Sequence, residues 1–105
     1  MANQQQPLNV EAVRAYLEAE FPGFIVEAWP DQSRGGYNFR AGSGDTYRVY
    51  VTDTFFDETP TEDVGGKLRA MKLAKALRKA KAETAIMVME NKLRPVSIRE
   101  LRAMR

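Results

Sequence analysis

Apolar and polar residues alternate in three consecutive segments of the first half of the chain. In residues 24–29, 37–41 and 47–52 an apolar side chain recurs at every second position. Two short segments rich in glycine and other turn-forming residues, 30–36 and 42–45, separate them. A period of two interrupted by turns is typical of strands that bury one face. The pattern therefore predicts an antiparallel meander of three strands.

The pleat of this meander predicts which side chains share its polar face. Ala41 is expected to pair with Tyr47, and Arg40 then lies opposite Arg48. Like charges directly opposite each other are unfavourable, so a nearby acid is needed. Glu27 on the neighbouring first strand could supply it from a diagonal position.

A spacing of three and four residues predicts a helix before the meander, at about residues 9–20. Asn9 is the predicted N-cap, with Leu8 and Val13 as a hydrophobic staple across it. A Pro-Gly pair follows and ends the helix. Residues 1–7 are polar and are predicted to be a flexible N-terminus.

A second helical segment follows the meander. Residues 53–63 contain five acids and no base, and Thr59-Pro60-Thr61-Glu62 forms a capping box that predicts a helix from Pro60. The apolar residues downstream form two sets on nearly opposite sides of a continuous helix: Val64, Leu68 and Met71, then Leu73, Ala74, Leu77 and Ala80. A straight helix would bury both sides, so a bend or break near residues 71–73 is predicted.

Two further elements complete the predicted fold. Ala85–Met89 is apolar on both faces, which predicts a strand inside the sheet, next to the first or the third strand. Ser97-Ile98-Arg99-Glu100 is a second capping box and predicts a short last helix that carries Ile98, Leu101 and Met104. The sequence thus predicts a single α+β domain over residues 8–105. Its sheet has three or four mainly antiparallel strands, with the helices on one face.

Charge is divided unequally between the two halves of the chain. Residues 1–66 carry eleven acids and four bases, whereas residues 67–105 carry three acids and twelve bases, within a net charge of only +2. Such a division permits an internal electrostatic match, head-to-tail self-association or a basic surface for an anionic partner.

Composition excludes several kinds of chemistry. The chain has no cysteine and no histidine, so the usual zinc ligands, thiol nucleophiles and the commonest general base are missing. No motif joins a carboxylate to a nucleophile, and the acids of 53–63 lack the order and the glycine of an EF-hand. We therefore expect no enzymatic activity, no cofactor and no metal. The N-terminus resembles no signal peptide and no apolar run is long enough for a membrane helix, so a cytoplasmic protein without membrane contact is expected.

The polar face of the meander is the first candidate site. Trp29, Arg40, Arg48 and Tyr50 would form a platform for a protein partner or an anion, with Ile25 and the two aromatic residues exposed beside charges. The alternative is a cross-strand Glu–Arg arrangement with Trp29 over Gly36. The leading functional prediction is an interaction module that binds a second copy of itself or another protein.

The basic segment 67–81 is the second candidate site, and it suggests nucleic-acid binding as the alternative function. Lys72, Lys75 and Lys79 cluster on one side of the predicted helix, and Arg99 or Arg102 could extend the patch. Clustered cations bind phosphate backbones by releasing counterions. The alternative is a solvated helix face whose late cations complement the helix dipole. In the acidic segment, Phe55 and Phe56 are expected to anchor the loop to the core rather than to bind a partner.

The order of elements through residue 82, a helix, three antiparallel strands and a helix, resembles the double-stranded RNA-binding domain in topology. That family binds RNA with a histidine-containing loop and a lysine cluster at the start of its last helix. Here the loop 30–36 has no histidine and the helix opens with Glu62 and Asp63. The binding residues of that family therefore do not carry over.

A second likeness is to small uncharacterised bacterial proteins, which have a strand, a Phe-Asp-Asp/Glu turn, a helix with Leu-Ala-x-x-Leu-Arg and an apolar strand. The matching segments here are Tyr47–Val51, Phe56-Asp57-Glu58, Leu73–Arg78 and Ala85–Met89. Those proteins typically show acids where this chain has lysines. The resemblance implies a fold and a bacterial cytoplasmic origin, and no activity.

Overall fold

Five strands form one mixed sheet in the computed structural model, which describes residues 5–43 and 45–103. The order across the sheet equals the order along the chain: β1 (Ile25–Pro30), β2 (Tyr37–Ser43), β3 (Asp45–Val51), β4 (Thr84–Val88) and β5 (Leu93–Ser97). Neighbouring strands are antiparallel except for β3 and β4, which are parallel. The α+β class and the mainly antiparallel sheet are confirmed.

Within the described residues, five helices accompany the sheet: α1 (Gln5–Glu20), α2 (Asp53–Glu58), α3 (Thr61–Ala70), α4 (Leu73–Lys79) and α5 (Ile98–Ala103). Helices α2, α3 and α4 together form the crossover between the parallel strands β3 and β4. The core lies between α1, α3 and α4 and one face of the sheet, here called the inner face. The opposite face is called the outer face.

The predicted meander and its register are confirmed. Ala41 pairs with Tyr47 and Arg40 with Arg48. Phe39, Ala41 and Val49 lie in the core, because successive side chains alternate between the two faces of a pleated sheet.

The predicted count of three or four strands was too low. The strand Ala85–Met89 appears as β4, beside the third strand, which was one of the two predicted positions. The missed strand is β5, which pairs with β4. It carries Arg94 and Pro95 at its centre, residues that argue against a strand unless the strand lies at the edge of a sheet.

The prediction that all helices pack on one face was wrong for α5. Ile98 and Leu101 line a groove together with Trp29, Asn38 and Arg48, which are outer-face residues. Helix α5 begins directly after Ser97, the last residue of β5, so no loop intervenes that could carry the chain back to the inner face. The amide of Glu100 donates to Ser97 Oγ at 2.9 Å, which confirms the N-cap bond of the predicted second capping box.

The predicted break between the two apolar sets is confirmed. Helix α3 ends at Ala70 and α4 begins at Leu73, with Lys72 between them in the left-handed conformation at φ 61°. Lys72 gives no side-chain cap to α4. Instead, the amide of Ala74 donates to the hydroxyl of Tyr16, a buried residue of α1, at 3.1 Å. A residue distant in the chain thus satisfies one of the free amides at the start of α4.

Asn9 is not the N-cap of α1, because the helix already begins at Gln5. Asn9 is fully buried, and its Nδ2 donates to the carbonyl oxygens of Phe56 at 3.2 Å and Thr59 at 3.0 Å. Its Oδ1 accepts from Thr61 Oγ1 at 2.5 Å. Asn9 therefore fastens α1 to the connection between α2 and α3. The predicted staple partner Leu8 is 60% exposed, and residues 1–4 of the predicted flexible start lie outside the described residues.

Helix α3 begins one residue later than the first capping box predicts. It starts at Thr61 with Pro60 as its N-cap, and the proline itself supplies no side-chain cap. Thr59 is buried, and its hydroxyl accepts from Lys67 Nζ at 3.4 Å. The proline therefore marks the start of the helix to within one residue, and the threonine before it is buried.

Candidate functional site

Strand β1 forms one edge of the sheet and exposes apolar side chains on the outer face. Ile25 is 73% exposed and Trp29 is 39% exposed, with Glu27 between them. Strand β2 pairs with one side of β1, and no described strand pairs with the other side. The backbone groups on that free side can therefore pair with an added strand. We call β1 and these three outward side chains the β1 edge.

The charge on the β1 edge is already compensated within the molecule. Glu27 lies directly opposite Arg40 on β2, and Arg40 Nε donates to Glu27 Oε1 at 2.8 Å. Arg40 in turn lies opposite Arg48, as predicted, and Glu27 is the acid that offsets this like-charge pair. The expected Glu–Arg arrangement is thus confirmed for Arg40.

Tyr50 is not exposed, which corrects the predicted platform of four residues. Only 4% of its surface is accessible, because the loop between β1 and β2 folds over the outer face. The guanidinium of Arg34 lies 4.7 Å above the ring, and the Tyr50 hydroxyl donates to the carbonyl oxygen of Gly35 at 2.7 Å. Burial, reinforced by the charge of Asp31, raises the pKa of Tyr50. Partners that approach the outer face therefore meet Arg34 in place of the Tyr50 ring.

This loop is held by the carboxylate of Asp31, whose side chain is only 7% exposed. One oxygen accepts from the amides of Ser33 and Arg34, each at 3.0 Å. The other accepts from Asn38 at 3.2 Å and from the guanidinium of Arg34, including Nε at 3.1 Å. Burial on its own would raise the pKa of Asp31, but these hydrogen bonds outweigh burial and lower the pKa to about 2.

Two glycines allow the loop to close onto the sheet. Gly35 and Gly36 have φ of +78° and +75°, in the region that favours glycine. A Cβ on Gly36 would lie 2.2 Å from the carbonyl oxygen of Val51, and one on Gly35 would lie 2.0 Å from Asp53 Oδ2. Asp53 also accepts from the amide of Gly36 at 2.9 Å. From the sequence alone, these residues predict only an ordinary turn.

A groove of about 500 Å³ lies between this loop and α5 on the outer face. Trp29 and Arg48 line it from the sheet, and Ile98 and Leu101 line it from α5. Arg34 crosses one end, where its Nη1 donates to the carbonyl oxygen of Leu101 at 3.1 Å. Trp29 therefore contributes both to the β1 edge and to the wall of the groove.

Strand β5, the opposite edge of the sheet, carries different side chains. Arg94 and Pro95 occupy its centre and are exposed, and Lys92 is exposed just before it. Proline offers no N–H for pairing, and cations on an edge strand oppose the approach of a second strand. The β5 edge is thus closed to pairing in the manner natural sheets commonly use.

The basic segment divides into tethered and exposed cations. Arg78 donates to the carbonyl oxygen of Glu20 at 3.0 Å and lies 4.9 Å above the Phe21 ring, and Lys67 lies 5.3 Å from the Phe55 ring. Other cations of the segment are exposed, among them the predicted residues Lys72, Lys75 and Lys79. Arg99 is exposed on α5, on the other face of the sheet from α4, and the Arg102 side chain lies outside the described residues. Arg78 also pairs with Glu20 Oε1 at 3.9 Å, so a small part of the charge division is matched within the molecule.

The acidic segment forms helix α2 instead of a loop, and its two phenylalanines anchor it. Phe55 and Phe56 are both buried, as predicted, and the Phe55 amide donates to Thr52 Oγ1 at 3.2 Å. Across the described residues, no group of three or more acids is arranged to hold a metal ion. Among the described helices, none is both long and apolar enough to cross a membrane.

Comparison with known proteins finds no family model, curated protein or solved structure that matches this chain. The likeness to the double-stranded RNA-binding domain and to the small bacterial proteins stays a prediction.

Proposed function

We propose that this protein is a non-enzymatic interaction module that binds an extended segment of a partner chain along the β1 edge. The observation that carries the proposal is the pair of exposed apolar side chains, Ile25 and Trp29, on a strand with a free side. An added strand would gain backbone hydrogen bonds from that side, while alternate side chains give specificity.

The β1 edge has the composition of a binding site rather than of a protected edge. Covering an apolar side chain of this size contributes roughly 1.5–3 kcal/mol, and tryptophan is enriched among residues that dominate binding energies. The ion pair between Glu27 and Arg40 leaves no net charge to oppose a neutral or apolar partner strand. Helix α1 packs behind β1 and β2, so the strand is supported before a partner arrives.

Selection from a library of displayed extended peptides tests this proposal. We expect enriched peptides that alternate apolar and polar residues and that protect the β1 amides from hydrogen exchange. The variant Ile25→Lys/Trp29→Lys should lose this binding, whereas Leu8→Lys should retain it. Leu8 is a matched control because it is exposed and apolar but lies on α1. Peptides that bind the two variants equally well would contradict the proposal.

Nucleic-acid binding through α4 is a second candidate function. It is favoured by the exposure of Lys75 and Lys79 on α4, a helix with no acid, and of Lys72 directly before that helix. Affinity for mixed DNA and RNA in a gel-shift assay should then fall steeply with salt. Replacement of the three lysines by glutamate should abolish the shift and leave the circular dichroism spectrum unchanged, because exposed positions tolerate such changes. The absence of a shift at low salt would remove this candidate.

A further inference from the structure

We infer that the partner strand is β1 of a second copy of this chain, paired antiparallel about a two-fold axis through Glu27. The inference rests on the proposed function and names the partner of the same edge. It follows from the pleat of β1, from the identity of the facing side chains and from the difference between the two edges of the sheet.

The pleat restricts the possible registers. A two-fold axis perpendicular to the sheet leaves each side chain on its own face, so a residue can lie opposite only a residue of the same face. One residue must then lie opposite its own copy. Within β1 this residue is Val26, Glu27 or Ala28 if most of the strand is to pair.

The side chains select among these three registers. With the axis at Glu27, Ile25 lies opposite the partner's Trp29, and this apolar pair occurs twice by symmetry. An axis at Val26 would place Ile25 opposite the partner's Glu27. An axis at Ala28 would place Trp29 opposite the partner's Glu27. Apolar pairs on one face stabilise an antiparallel ladder, whereas an apolar residue opposite a charge does not.

The charges are compatible with the register about Glu27. Glu27 lies opposite the partner's Glu27, which alone would be unfavourable. Each carboxylate is held by its own Arg40, which is partly exposed on the neighbouring strand. The four charges therefore form a row with a cation at each end and no net charge, so repulsion is compensated where the two copies meet.

The β5 edge limits the assembly to a dimer. A two-fold β1 contact uses the same surface on both copies and leaves only β5 edges at the ends of the joined sheet. Pro95 and Arg94 block those edges, so a dimer cannot extend into a fibre. A second copy thus covers the edge whose only proline, Pro30, lies at the end of the strand and not at its centre.

Engineered cysteines test the register directly, because the chain has no cysteine of its own. Residues opposite each other on antiparallel strands have Cα atoms about 4.5–5.5 Å apart, within the range a disulfide can bridge. Glu27→Cys should therefore give a covalent dimer on mild oxidation. Ile25→Cys alone should not, since its two copies would lie about 14 Å apart. An equimolar mixture of Ile25→Cys and Trp29→Cys should cross-link between the two variants.

Sedimentation at several concentrations provides the matched measurement. The unmodified chain should show a monomer–dimer equilibrium, Leu8→Lys should show the same one, and Ile25→Lys/Trp29→Lys should weaken the dimer by about 100-fold or more. Cross-linking at Val26→Cys or Ala28→Cys in place of Glu27→Cys would overturn the register. A dimer that survives the double lysine variant would overturn this inference, and selected peptides that bind the double lysine variant as well as the unmodified chain would overturn the proposed function too. A strict monomer that still binds selected peptides through β1 would overturn the inference alone, with a different protein as the partner.

Discussion

The two edges of the sheet differ in their capacity to accept another strand. The β1 edge presents Ile25 and Trp29, and its single acid is tied to Arg40. The β5 edge presents Arg94 and Pro95, which remove a donor and add a charge. Both edges expose backbone to solvent, so the difference is set by a few side chains. It teaches that an edge must be assessed residue by residue, because position in the sheet alone does not distinguish a protected strand from a docking strand.

The edges also differ in what supports them. Helix α1 packs behind β1, and Asn9 fastens that helix to the turn between α2 and α3. The β5 edge continues into α5, whose described tertiary hydrogen bonds come from Arg34 and from the amide of Ile98, which donates to the carbonyl oxygen of Glu83 at 2.8 Å. We therefore expect the β1 side to be held mainly by the core, and α5, at the end of the β5 side, to depend more on these polar contacts.

The largest change is expected from opening the protected edge. The variant Arg94→Thr/Pro95→Thr restores an N–H and removes a cation at the centre of β5. If β1 already pairs with itself, each dimer would then carry two open edges, and association would become open-ended. Sedimentation should show masses above the dimer that increase with concentration. A variant that remains at the size of the unmodified chain would show that these two residues are not what protects the edge.

Loss of the support behind β1 should cost most in stability. Asn9→Ala removes three hydrogen bonds and leaves the carbonyl oxygens of Phe56 and Thr59 without this donor in a buried site. We expect the free energy of unfolding to fall by about 3 kcal/mol in urea titrations. Leu8→Ala, at the exposed neighbouring position, should change it by less than about 0.5 kcal/mol. Equal effects of the two substitutions would contradict the role given to Asn9.

Acid should weaken the attachment of the loop between β1 and β2, which Asp31 holds over the outer face. The pKa of Asp31 is about 2 in the folded chain, against an ordinary value of 3.8. A carboxyl group whose pKa is lower in the folded chain stabilises the fold at pH values above its ordinary pKa. This stabilisation is lost as the pH falls through the pKa of the folded chain. This gives about 2 kcal/mol, lost between about pH 4 and pH 2. Urea unfolding across that range should show a pH-dependent loss that is smaller in Asp31→Asn, and an identical pH dependence would refute the assignment.

The smallest effect is expected at the start of α5. Ser97→Ala removes the cap that accepts from the Glu100 amide. Loss of such a cap costs about 1 kcal/mol, and the effect should be local because α5 is short. Hydrogen exchange of the α5 amides should accelerate about fivefold while exchange in β1 stays unchanged. Acceleration in both regions would show that the two edges are not supported independently.

The sequence predicted the features that depend on local periodicity. The alternation in β2 and β3 specified their register, since a slip of one residue would have moved Phe39 and Val49 out of the core. The two opposed apolar sets predicted the break before α4, because one straight helix could not pack both sets against the same core. The four residues predicted to form the platform lie on the expected strands and face, but Tyr50 is covered.

The missed features depend on contacts between distant residues. Asn9 matches the pattern of an N-cap, yet its partners lie about fifty residues away in the chain. Arg34 and Asp31 lie in a segment that has the composition of an ordinary turn, and only the fold places Tyr50 beneath them. Strand β5 was hidden by Pro95, which is acceptable only because the strand is at an edge. No local signal distinguishes these cases.

The parallel pairing of β3 with β4 has a consequence for synthesis of the chain. Strands β1, β2 and β3 are contiguous and can pair as soon as residue 51 has left the ribosome, whereas β4 must await the whole helical crossover. During that interval β3 is also an edge, and the nascent meander has two free sides in place of one. Exposed strand edges make partly folded chains prone to misassociation. The growing chain is therefore most vulnerable while α2, α3 and α4 are being made, and arrival of β4 ends that period by covering β3.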